Sequence, residues 1–163
     1  MGVLVDDAAR IPRIIELLTQ AKAVAKEYRE LTGRPLGITG EVGEYEAVRL
    51  LPDLELADVR EAGFDALRRK GKKVTRLQVK ARCYAKGHKE DGQRLGSLDL
   101  DKEWDGVLMV LLDPDFEARE IWEADREPVE KALTAPGSVA RNKRGALSVS
   151  KVRSIGRLVW KRS

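Results

Sequence analysis

The segment Gly106–Asp113, GVLMVLLD, constrains this chain most. Its unbroken apolar run is the pattern of a strand buried on both faces of a sheet. A second segment, Val74–Arg82, has a different period. Thr75, Leu77, Val79 and Ala81 point one way, and Arg76, Gln78, Lys80 and Arg82 point the other. One strand therefore belongs at the centre of a sheet and the other offers a polar face for chemistry.

The remaining elements arrange themselves around these two. Residues 8–32 carry Ile11, Ile14, Ile15, Leu18, Ala21, Ala25, Tyr28 and Leu31 at helical spacing, with Pro12 in a first turn and Gly33 as a stop. Residues 33–38 form a linker. Thr39 suits an N-cap, and a second helix is expected from there to about Leu51, before Pro52. Short strands are expected at Glu55–Val59 and Gly63–Leu67. RRKGKK then makes a basic turn around Gly71, closing a hairpin with Val74–Arg82. Residues 84–103 are polar and irregular apart from a short strand at Leu95–Leu100, and no helix is evident there. A second hairpin pairs the apolar run with Ala118–Ala124, and Asp125 caps a helix from Arg126 to about Leu133.

The expectation is an α/β (α+β) fold: a central mixed β-sheet of about five strands flanked by helices, with an extra N-terminal helix. A chain of 163 residues fits a single domain over 1–163, with helix 8–32, core 39–135 and a basic C-terminal segment 136–163. No apolar run approaches the roughly 18 residues of a membrane span, and MGVLVDDAAR lacks the basic start of a secretory signal. A cytoplasmic location and no membrane partner are expected. The single Cys83 excludes an intramolecular disulfide, and with only His88 beside it a zinc site of Cys and His ligands is excluded too. A metal here must be a hard cation on oxygen ligands.

Charge is unevenly placed. Lys131 to Ser163 holds nine Lys and Arg and no acid, leaving 22 basic against 27 acidic residues in the first 130. An acidic body with a basic, partly apolar end points to nucleic-acid contact. Lys143, Arg144, Lys151 and Arg153 are the expected backbone contacts in that end, with Arg76 and Arg82 on the polar strand face.

The chemistry gathers at four positions. Glu44 lies on the second helix, three residues from Glu41 and on the same side. Asp65 lies on the first strand of the hairpin, and Gln78 and Lys80 share a face of the second. Asp65, the Gln78 amide oxygen and the Val79 carbonyl can supply oxygen ligands to a divalent ion, which polarises a phosphodiester and activates water. Lys80 then orients that water or offsets charge on the phosphorane.

GEVGE at 40–44, GFDA at 63–66 and QVKAR at 78–82 resemble the PD-(D/E)XK, restriction-endonuclease-like nuclease superfamily. The QxK form is most similar to Mrr-like restriction enzymes. RLGSLDL, WDGVLMVLLD, EIWEADR and RGALSVSKVRSIGRLVW also look like a small family of uncharacterised function with this core. The motif-bearing match covers residues 39–82, and the looser likeness reaches the C-terminus. The resemblance implies hydrolysis of DNA with Mg2+, for which Mn2+ can substitute. It makes Asp65 the central metal ligand, Gln78 the replacement for the usual acidic ligand, Lys80 the motif lysine and Glu44 the helix acid, with Glu41 the alternative. Gln78 is neutral where most members carry an acid, and Phe64 stands where a proline often precedes the Asp. Two other classes compete: a DNA-binding module of the same fold without catalysis, and a protein whose basic end meets an acidic partner. A homodimer suits the nuclease, since cutting two strands needs two centres.

Overall fold

The computed structural model describes residues 7–58, 63–84, 89, 92–136 and 145–163. They fall into two compact units, residues 1–38 and 39–163. The first unit is built on helix α1 (Asp7–Thr32). It ends at Gly33, whose φ of 69° takes the chain out of the helix while its N–H donates to the Arg29 carbonyl at 2.8 Å.

The second unit contains α2 (Thr39–Leu50), β1 (Leu54–Leu56), β2 (Ala66–Lys70), β3 (Lys73–Cys83), β4 (Gly106–Leu112), β5 (Ala118–Asp125), α3 (Arg126–Thr134), α4 (Val149–Ile155) and β6 (Arg157–Lys161). Its six strands form one mixed sheet in the order β1-β2-β3-β4-β5-β6. Only the β3–β4 pair is parallel, Leu77 opposite Gly106 through Cys83 opposite Leu112. The apolar run is β4, buried at all seven positions as its composition demands.

The two faces of β4 are covered by different helices. A Cβ placed on Gly43 would meet the Ala81 Cβ at 2.3 Å and the Val110 Cβ at 3.9 Å, so α2 lies on the face shared by Ala81 and Val110. Gly43 is the residue that lets the helix come this close. On the other face Val107, Met109 and Leu111 pack with Val129 and Leu133 of α3, Val149 and Val152 of α4, and Leu95, Leu98 and Trp104 of the β3–β4 connection.

That connection is unusual. Parallel neighbours are commonly joined by a helix, yet the described residues between β3 and β4 form none. Residues far along the chain hold it instead. Leu95 N–H donates to the Leu147 carbonyl at 2.9 Å and Leu98 N–H to the Gly145 carbonyl at 2.8 Å. Arg126 donates to the carbonyls of Leu100, Lys102 and Trp104 and stacks over the Trp104 ring. The strand expected at Leu95–Leu100 is therefore absent; a single bridge between Arg94 and Ser148 stands there.

Four other expectations need correction. The sheet has six strands rather than five, the sixth coming from the basic end, which folds as α4 and β6. The strand expected over 63–67 is shifted to Ala66–Lys70, because Arg68 is drawn into the sheet by carboxylates, and Gly71 (φ 60°) with Lys72 makes a two-residue loop. Asp125 sits at the N-cap of α3 without a side-chain cap bond; its carboxylate lies 3.5 Å from Arg157. The strand expected at Glu55–Val59 ends by Leu56, with Val59 outside the described residues.

Candidate active site

The site forms where β2 leaves β3. The last pair of that ladder is Ala66 opposite Leu77, while β3 runs on to Cys83. From Val79 onward no described strand pairs with the β2-side edge of β3, which is open among the described residues. Asp65 stands at the fork. Its N–H donates to the Leu77 carbonyl at 2.9 Å, and its Oδ2 accepts from the Val79 N–H at 2.8 Å, taking the place of the next ladder bond. A strand residue turns its N–H and carbonyl to the same side, so the Val79 carbonyl also leaves β3 at this open edge. Asp65 Oδ1 has no partner among the described residues.

α2 brings the second carboxylate. Packing of Gly43 on Ala81 fixes the helix over β3 and carries Glu44 with it. The Glu44 carboxyl is half-buried and pushed up to about 7, first by burial, then by the negative charges of Asp65 and Glu41, against the opposing pull of Lys80. Two of the other three expected residues, Asp65 and Lys80, thus act on this one carboxyl group. Glu41 is exposed one helical turn away.

Lys80 comes to this edge from the other face. Its stem lies beside Gly96, where an added Cβ would stand 3.7 Å from Cδ. It has no carboxylate in ion-pair contact among the described residues. No family model matches this chain, and no curated protein matches it. The chemistry of the site is read from its own residues.

Gln78 is the member whose placement sequence alone does not give. It is buried, and its Nε2 donates to the Gly63 carbonyl. Only an amide nitrogen can face a carbonyl there, since a carboxylate has no proton to donate. Gln78 therefore holds the segment that leads into Asp65.

The donor set suits a hard cation. Asp65 and Glu44 bring negative charge to one point, as the charge of Asp65 on the Glu44 carboxyl shows. Among the described residues no three His, Cys, Asp or Glu side chains group to hold a metal on their own.

The expected nucleic-acid contacts divide. Arg76 is occupied: its guanidinium donates to both oxygens of Asp105 at 3.1 Å and to Glu103 at 2.7 Å, and it holds the Asp105 carboxyl below the usual carboxylate range. Arg153 pairs with Glu120 at 2.9 Å and stacks on Trp122. Arg82 donates through Nε to the Arg94 carbonyl. Lys151 is exposed on α4. Lys143 and Arg144 lie outside the described residues. Arg94, which sequence reasoning passed over, is exposed beside Arg82 and lines a cavity with Lys151. Its position in an irregular polar stretch gave no periodicity by which to single it out.

Proposed function

We propose that this chain is a metal-dependent endonuclease of the PD-(D/E)XK, restriction-endonuclease-like type that hydrolyses phosphodiester bonds of DNA. One observation carries the reading: the Glu44 carboxyl, raised to about 7, lies under the combined charges of Asp65, Glu41 and Lys80 at the point where β3 loses its neighbour. Like charges crowded at an open sheet edge are costly unless something uses them. The order of Glu44 on α2, Asp65 at β2 and Gln78 with Lys80 on β3 supports the same reading.

Asp65 and Glu44, with the Val79 carbonyl and Gln78 Oε1 as the neutral oxygens on offer, would hold Mg2+ or Mn2+, which would polarise the phosphodiester and activate a water. Asp65 is pre-oriented by its bond from Val79 N–H, so its second oxygen is presented to the open edge. Lys80 Nζ, free of carboxylate partners, orients the attacking water and offsets charge as it grows on the phosphorane oxygens. Glu44, whose ionised form is disfavoured in the metal-free site by burial and by Asp65, would gain most from a cation bound beside it. Two copies of the chain, one on each strand, account for double-strand cleavage.

A second reading has its own support. Gln78 commits its amide nitrogen to Gly63, and among the described residues no three acids group to hold a metal; a DNA-binding module of the same architecture that no longer cuts fits this. Relaxation of supercoiled plasmid with Mg2+ or Mn2+ separates the two. The nuclease reading expects cutting by the wild type and a fall of roughly 10²–10³ for Lys80→Ala, as for loss of one transition-state donor, with Asp65→Ala at least as impaired. A wild type that retards DNA on a gel without cutting it establishes the binding module instead.

A further inference from the structure

The cations of the second unit sort into two populations. Arg49, Arg68, Arg69, Arg76, Arg126, Lys131, Arg153, Arg157, Lys161 and Arg162 each stand within ion-pair distance of a carboxylate. Among the described residues Lys80, Arg82, Arg94 and Lys151 do not. Other unpaired lysines exist: Lys72 and Lys73 stand at the tip of the β2–β3 hairpin, with Lys73 seven residues along β3 from Lys80, while Lys89 and Lys102 lie in the β3–β4 connection, Lys102 beside Gly63.

These four are not scattered. Lys80 and Arg82 are alternate residues of β3 and share a face. Gly96 lies against the Lys80 stem. Arg82 Nε donates to the Arg94 carbonyl, which leaves its two terminal nitrogens for other acceptors. Arg94 bridges to Ser148, and a cavity of about 100 Å³ opens between Arg94, Ser148, Lys151 and Gly92 over a floor of Ala132 and Leu147. A continuous basic line thus runs from the open edge of β3, along the connection, to α4.

We propose that Lys80, Arg82, Arg94 and Lys151 form a track for the phosphates of a DNA backbone, with a phosphate seated in the cavity between Arg94 and Lys151. A row of cations without internal partners suits a polyanion whose charges recur about every 3.4 Å along each strand. The proposal rests on the nuclease reading for what happens at the Lys80 end of the track. It replaces Arg76 and Arg153 as DNA contacts, because their guanidinium groups already hold carboxylates.

The test measures binding without cleavage. Fluorescence anisotropy of a fluorescein-labelled DNA duplex is titrated with the full chain in EDTA at several salt concentrations. Arg94→Ala, Lys151→Ala and the double variant are compared with Arg69→Ala, which removes an exposed cation paired to Glu55 on β2. Each lost phosphate contact flattens the plot of log affinity against log salt by about 0.9. The double variant is expected to bind at least about tenfold more weakly near physiological salt, with a slope shallower by about two, while Arg69→Ala matches the wild type. Thermal melts confirm that each variant folds. The track is overturned if the wild type does not bind, if the double variant binds like it, or if Arg69→Ala weakens binding as much. Plasmid cutting is read separately. Binding with the expected pattern but without cutting keeps the track and removes the nuclease. Cutting with an unaltered double variant does the reverse.

Discussion

Two charged regions of this sheet obey opposite rules. Beneath β2, β5 and β6, Glu123 is 2% exposed and accepts from Arg68 Nη1 at 2.7 and 2.8 Å and from Arg157. Arg68 Nε in turn lies 2.9 Å from Asp53, and Arg157 reaches Asp125. Here each buried charge meets its opposite. At the open edge of β3, two carboxylates press on one another and Lys80 stands unpaired. The first region is what a sheet does to survive burying charge. The second leaves electrostatic cost in place, and such cost persists where a ligand relieves it. The contrast separates charges that hold the fold from charges that await a partner.

The sharpest way to break this contrast is at Glu123. Glu123→Ala strands the Arg68 guanidinium, itself only 11% exposed, without its main partner. A loss of about 3–5 kcal/mol is expected in denaturant unfolding. A loss near zero would mean the cluster does not hold the fold. Gly43→Ala comes next. Its Cβ would fall 2.3 Å from the Ala81 Cβ, so α2 must move off β3 and take Glu44 with it. About 1–3 kcal/mol of stability should go, together with cleavage, and Ala81→Gly should restore part of both.

Gln78→Glu sharpens the comparison from the other side. It installs an acid at the position where the resembling nucleases carry one, but it also points a carboxylate at the Gly63 carbonyl. The metal-free variant is expected to lose about 1–3 kcal/mol, as for a buried polar group left unpaired. An unchanged melting temperature would show that Gln78 does not hold Gly63. The smallest effect is on pH dependence. Glu44 sits above its unfolded value, so its neutral form stabilises the fold fully below about 4.5. That contribution disappears as pH rises through about 7. Metal-free melting temperature should fall across this window, Mn2+ should raise it increasingly over the same range, and Glu44→Gln should flatten both curves.

Periodicity made β3 and β4 legible, because one strand is half-buried and the other wholly buried, and each burial leaves its own pattern. The approach of Asp65 and Lys80 to Glu44 was legible for a related reason, since the three lie on elements close together in the chain, whereas the bond from Gln78 to Gly63 was not. What escaped depends on partners distant in sequence. Arg68 looks like part of a turn until Glu123, 55 residues away, draws it into a strand. Arg76 looks like a phosphate ligand until Asp105 and Glu103, 29 and 27 residues on, occupy it. Leu95–Leu100 has a strand's composition but no neighbour to pair with beyond one bridge to Ser148.

The tie between Leu95, Leu98 and residues 145–147 has a temporal consequence. The wall beside Lys80 is closed by amides whose acceptors are made some fifty residues later. While the chain is being synthesised, β1 to β3 can form their hairpins early, but the β3 edge stays without its lateral support until residues 145–147 have emerged. Contacts of such long sequence separation form late. A half-made copy of this protein therefore carries the charged groups of the site without the frame that aligns them, and competence arrives only with the last turn of folding.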